Sequence, residues 1–364
     1  MRRLSRARRF RTWRQVNLVN SPGVLLRSPS PTRRLWRLAY WLPRDFLLWA
    51  RLGFPRRLIY FGGRGYGDTL LLGTVAHELH RRGIRTAVLT EHPELLRGLP
   101  AVSGALRHEW RALEAMARFG GGAQHVPYFL TPCPPTHDIP PGHHIIVEMC
   151  RRAGVRGEIS LRTYFALGSQ ERAAGRLHPR QAVVQALGPQ SENLSPLKAY
   201  PADRLAAVVE ATAADLHWIQ LGSSNDPRVP GVRDLRGRTT AAESAGLLSH
   251  SRLFLGPPGF LMHLARAVEC RSVIIFGGRE LPRHGGYQCN DNLFVPQPCA
   301  PCYRRSTCLT QLECMTAITP AAVVDAVRRT AALHTEPIAV ETAIVPDAAV
   351  PCLLPWLPPV SSAA

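Results

Sequence analysis

The stretch from Arg252 to Gly278, RLFLGPPGFLMHLARAVECRSVIIFGG, decides the fold. An apolar run, Leu253-Phe254-Leu255, ends at Gly256-Pro257-Pro258-Gly259. A helical pattern follows, and a second buried strand over Ser272 to Phe276 ends at Gly277-Gly278. This is a β-turn-α-β unit. Its sharp turn gathers free backbone N–H groups and the positive helix end at one spot, where a phosphate can sit.

The same theme recurs upstream. Arg57 to Phe61 predicts a short strand that ends in Gly62-Gly63-Arg64-Gly65-Tyr66-Gly67-Asp68. Thr69 to Arg82 predicts a helix from apolar residues at 70, 71, 72, 75, 76 and 79, and Thr86 to Leu89 the next strand. Further on, Ala182 to Leu187 and His217 to Leu221 predict strands, and Ala202 to Ala214, Thr240 to Leu248 and Ala321 to Ala332 predict helices. Strands alternating with helices imply an α/β protein, and two such halves imply two Rossmann-like domains facing a cleft.

Directly after the opening stretch come Cys299, Cys302, Cys308 and Cys314, four of the nine cysteines. Clustered Cys in a cytosolic enzyme suggest metal more than disulfides. Cys299-x2-Cys302 has the spacing of a metal knuckle, whereas the second pair is wider than usual. Four thiolates suit a closed structural Zn or Fe site; the alternative is free thiols in a loop.

Apolar residues make up 45% of the 364, which excludes a disordered chain and leaves room for two domains. No run approaches transmembrane length, and no signal-peptide core is present, so the expected location is cytoplasmic. Residues 1–57 hold 15 Arg and a single acid, Asp45, whereas the rest is nearly balanced. Aromatic and aliphatic residues between Leu35 and Trp49 alternate with Arg37 and Arg44. That mixture fits three readings: a solvated tail with one packed helix, an anionic membrane surface, or nucleic acid. A single Lys, Lys198, stands among 44 Arg.

Taken in order, four segments resemble glycosyltransferase family 9, the bacterial ADP-heptose:lipopolysaccharide heptosyltransferases and their relatives. They are Gly65-Tyr66-Gly67-Asp68-Thr69-Leu70-Leu71, then Lys198-Ala199-Tyr200-Pro201, then Asp234 to Thr240, then Gly256 to Ala265 followed by Ser272 to Gly278. The resemblance spans roughly residues 57 to 330. One departure stands out: the family usually has Asp-Thr/Ser-Gly where this chain has Pro258-Gly259-Phe260.

The resemblance implies a GT-B type architecture. Residues 1–56 form a basic, partly helical arm, 57–170 an acceptor domain, 171–334 a nucleotide-sugar domain with the Cys cluster, and 335–364 a tail. It implies sugar transfer with inversion from a nucleotide-diphosphate donor and no catalytic metal. The matching positions make Asp68 the base, although a helix cap is the plain alternative. They make Lys198 the cation on the donor phosphates, with Gly256, Gly259 and the helix start as cradle and His263 and Gly222 as further donor contacts; the plain alternatives are a solvated loop lysine and a buried structural histidine. Gly63, Gly65 and Gly67 form the acceptor- or sugar-side loop. Some autotransporter heptosyltransferases in this family carry a Cys-ligated iron finger, which implies a structural role for Cys299, Cys302, Cys308 and Cys314.

The expected function is therefore transfer of a heptose-like sugar, ADP-heptose being favoured as donor, to a cell-envelope glycolipid or polysaccharide. The basic arm would hold the enzyme at the inner membrane face. Transfer to a protein acceptor is the near alternative. A degenerate transferase kept as scaffold and a basic nucleic-acid-binding protein are the distant ones, and nucleic acid is the least expected partner.

Overall fold

The computed structural model describes residues 31–107, 110–130, 137–188, 196–305 and 307–346. The first 30 residues of the arm, residues 347–364 of the tail, Cys133 and Cys352 lie outside the described residues.

The first sheet is parallel, in the order β3-β2-β1-β4: β1 is Arg57–Tyr60, β2 Thr86–Leu89, β3 Val102–Leu106 and β4 Ala123–His125. The helix after β1, Tyr66–His80, is buried on nearly every side from Thr69 to Ala76. A helix that is apolar all round belongs in an interior. Here it lies between its own sheet and the second half of the molecule, against helix Phe260–Ala267.

The second sheet is also parallel, in the order β11-β10-β9-β6-β7-β8. Its strands are β6 Gln181–Val184, β7 His217–Gln220, β8 Arg233–Asp234, β9 Phe254–Gly256, β10 Ser272–Ile275 and β11 Asp291–Leu293. β6 and β10 are buried at every position, as parallel strands covered on both faces must be. Buried residues from both halves, such as Ile59, Leu71, Ile219, Phe254 and Leu264, form one continuous apolar cluster. The α/β expectation holds, with two facing Rossmann-like units of GT-B type.

Both sheets reverse direction at a definite place. The first grows outward from β1 through β2 to β3 and then returns to put β4 on the other side of β1. The second runs from β6 to β8 and returns to put β9 beside β6. Ligands of open α/β sheets bind beyond the strand ends at such switch points.

Helix Pro31–Arg51 packs along helix Trp110–Phe119, which is the packed helix among the readings of the arm. Its Asp45 is buried between Arg111 and Arg118, the Arg111 guanidinium lies 3.6 Å from the Trp41 ring centre, and Trp49 stacks on Phe119. The tail contains a strand that its sequence does not announce: β12, Thr342–Val345, pairs antiparallel with β5, Gly157–Ser160. Four residues without flanking periodicity carry too little signal, and the pairing partner lies some 180 positions earlier.

Candidate functional site

A cleft of about 770 Å³ opens where the two switch points meet. Its walls include Gly65, Gly67, Asp68 and Tyr128 from the first half and Gln185, Lys198, Gly222, Gly259 and His263 from the second.

Asp68 is the third residue of helix Tyr66–His80. Its Oδ2 accepts the Gly65 backbone N–H at 3.1 Å, and its Oδ1 accepts the Tyr128 hydroxyl at 3.0 Å. The cap reading and the cleft-facing reading are therefore both true of one side chain. Burial pushes its pKa above the usual Asp range, against those hydrogen bonds and the charge of Lys198. Gly63 leaves room for this carboxyl, since a Cβ there would stand 2.1 Å from Asp68 Oδ2. A Cβ at Gly65 would stand a tight 3.2 Å from the same oxygen, and Gly67 lets Phe260 and His263 of the other half approach closely.

Lys198 ends a short 3-10 turn, Pro196–Lys198, and is no solvated loop lysine: its side chain is only 13% exposed. Its Nζ donates to the Pro258 carbonyl at 3.1 Å and lies 2.5 Å from Glu280 Oε1. Burial lowers its pKa, partly offset by the Glu280 charge. Gly259 is the N-cap of helix Phe260–Ala267, whose first N–H groups have no acceptor within the helix. A phosphate between Lys198 and this helix start would meet both an ammonium and the positive helix end.

Gly222 holds φ +135, and a Cβ there would collide with Asp226 Oδ2, so both backbone and space demand glycine. His263 is buried, its Nδ1 is 2.7 Å from the Tyr287 hydroxyl, and burial drops its pKa to about 3, so it works as a neutral hydrogen-bonding group. Gly256 stands apart from the rest. It borders a small adjoining cavity with Lys198, and its missing Cβ makes room for the Phe254 ring rather than for a ligand.

Sequence reasoning missed the other charges in the cleft. Glu280 and Arg279 follow the double-Gly turn at the end of β10. Asp138, from the first half, pairs with Arg279 at 3.0 Å and Arg305 at 2.8 Å, and its N–H donates to the Tyr303 carbonyl at 2.9 Å. The position of Arg279-Glu280 at a strand end was a readable signal. Tyr128 and Asp138 sit in a Gly/Pro-rich stretch without periodicity, where only tertiary placement reveals them.

The sequence and the fold are similar to those of known proteins. Residues 169–313 match the profile of Glycosyltransferase family 9 (heptosyltransferase). The chain carries a glycosyltransferase family 9 domain. No curated protein matches the chain. Among solved structures, E. coli ADP-heptose lps heptosyltransferase II is 12% identical, with 76% of this chain and 98% of that one covered and a TM-score of 0.54. TibC, a bacterial iron-containing dodecameric glycosyltransferase from enterotoxigenic E. coli H10407, is 15% identical over 76% of each chain, with a TM-score of 0.58. A family 9 glycosyl transferase from Veillonella parvula DSM 2008 is 10% identical, with 78% and 98% covered and a TM-score of 0.55. At these identities the likeness shows the shared two-unit fold.

The four cysteines border one small cavity beside Gly278, Arg279 and Arg304. Cys308 Sγ accepts the N–H groups of Thr310 at 3.4 Å and Leu312 at 3.2 Å. Burial raises the thiols of Cys302 and Cys314, while backbone N–H groups overcome burial at Cys308 and lower it. As placed, no three Cys, His, Asp or Glu among the described residues stand together at metal-binding distance. The loop packs on the double-Gly turn: Cβ atoms at Gly277 and Gly278 would strike Met315, Cys314 and Ala300.

Proposed function

We propose that the chain is an inverting glycosyltransferase that moves a heptose-like sugar from a nucleotide-diphosphate donor, ADP-heptose being favoured, to a cell-envelope glycolipid or polysaccharide. The observation that carries this reading is the convergence of Asp68 and Lys198 on one cleft from the switch points of opposite sheets. TibC, of similar fold, has been solved with ADP-D-beta-D-heptose, which supports the donor class.

In this mechanism the Asp68 carboxylate takes the proton of an acceptor hydroxyl, and the freed oxygen attacks the anomeric carbon. The bond from that carbon to the diphosphate oxygen breaks on the opposite face, so the configuration inverts. Lys198 and the start of helix Phe260–Ala267 stabilise the charge that grows on the leaving diphosphate. A single displacement asks for one base and one cationic seat, and the cleft supplies both. His263 and Tyr287 hold each other and shape the donor side.

Cys299, Cys302, Cys308 and Cys314 are assigned to a structural metal, iron or zinc. The all-thiol donor set around one cavity and the N–H groups aimed at Cys308 support it. The metal would tie the loop together and take no part in transfer. The outer face of helix Pro31–Arg51 is assigned to an anionic membrane surface. Leu42, Phe46 and Leu47 are exposed beside Arg44 and Arg51, and no helix among the described residues is long and apolar enough to cross a membrane.

The test is thermal stabilisation by ADP, GDP, UDP and their sugar conjugates, since a ligand of the native state must raise the midpoint. A rise with one diphosphate supports the transferase and selects its donor. No rise with any of them in a folded protein would sink the reading.

A further inference from the structure

The seat expected for the donor's phosphates holds a negative group of the protein's own. Lys198 Nζ lies between the Pro258 carbonyl, 3.1 Å away and just before the helix start, and Glu280 Oε1 at 2.5 Å. Burial alone would raise the Glu280 pKa, but Lys198 and Arg279 together hold it below the ordinary range, so the group is a carboxylate. The contact is a short ion pair in which the Lys198 ammonium and the Arg279 guanidinium together hold one buried carboxylate.

A second cation waits next to it. Arg279 Nη1 is 3.5 Å from Glu280 Oε2, while another nitrogen of the same guanidinium holds Asp138. A diphosphate brings at least two negative charges to Lys198. In a cleft of low dielectric, one ammonium cannot hold that group and a carboxylate together without strong repulsion. The free N–H groups of the helix start favour the phosphate at that spot.

We propose that Glu280 is a stand-in for the donor's diphosphate: it occupies Lys198 while the cleft is empty and passes to Arg279 when the donor arrives. This rests on the donor reading above. Its consequence is that Glu280 sets how tightly the site takes any nucleotide diphosphate, and keeps a buried lysine paired between turnovers.

The test is calorimetric titration of ADP into the full-length protein and three variants: Glu280→Gln, Arg279→Gln and the double substitution. The stand-in predicts that Glu280→Gln binds ADP about tenfold more tightly than the wild type. It also predicts that Arg279→Gln weakens ADP binding in the wild-type background yet changes little in the Glu280→Gln background, because the hand-over is then no longer needed. If Glu280→Gln binds ADP equally or more weakly, the stand-in is overturned and the pair is a permanent part of the site. If Arg279→Gln costs the same affinity in both backgrounds, Arg279 touches the diphosphate itself and the hand-over is overturned. Should ADP bind to none of the four proteins, the ADP donor reading falls, a result distinct from equal binding. If Glu280→Gln does not fold, Glu280→Met, similar in length and uncharged, carries the same comparison.

Discussion

At the scale of single residues, Asp68 carries the sharpest expectation. Asp68→Asn keeps the size and removes the base, so turnover should fall by about 10² to 10⁴ while nucleotide-diphosphate affinity stays within a few-fold. Steady-state rates with calorimetry on the same preparation check both halves, and retained turnover would remove Asp68 from the chemistry. Because burial raises its pKa, kcat/KM should fall as pH drops through a value above the ordinary Asp range, and that limb should vanish in Asp68→Asn. The sign for stability is opposite to that of a salt-bridged Asp. The fold prefers the protonated form, so stability is lost as pH rises from the unfolded-state pKa to the folded one. Lys198→Ala should weaken ADP binding at least tenfold, and unchanged affinity would make Lys198 a bystander. Asp68 and Lys198 were legible because each sits in a short motif at a strand end or before a helix. Tyr128 and Asp138 were not, and Glu280 had only its place after a strand end to mark it. A carboxylate in a loop reads as solvated until the fold places it against Lys198 or between two arginines from the other half.

At the scale of elements, the most direct test concerns helix Pro31–Arg51. Asp45 is buried between Arg111 and Arg118, so Asp45→Ala leaves two guanidinium groups without their shared partner. The expected loss is about 3–5 kcal/mol, read as a fall in the denaturant midpoint, and a change below about 0.5 kcal/mol would mean that the helix is only laid on the surface. The sequence shows this segment as aromatic and basic, which describes its outer face. What fixes it is one acid and two tryptophans on the inner face, too few to raise a periodic signal. The long helices and central strands were readable because burial forces their patterns. β8, with two residues, is too short to show any period. For the cysteine loop, replacing Cys299 and Cys302 together by Ser should remove bound iron or zinc, measured by elemental analysis, and lower the melting midpoint. Full metal content in that variant would place the metal elsewhere.

At the scale of the whole molecule, the two halves share one apolar cluster, and the last described strand returns to the first half. Removing residues 337–364 exposes the edge of β5 and the Ile159 side chain behind it. The melting midpoint should fall by several degrees, and an unchanged midpoint would show that β12 contributes nothing to stability. The pairing of β12 with β5 also bears on how the protein is made. A ribosome delivers β5 early, and its partner emerges only after the entire second half has been synthesised. Throughout that interval the nascent chain presents a bare strand edge, open to any passing extended segment. The first half therefore completes its small β5–β12 sheet only after the second half has been synthesised.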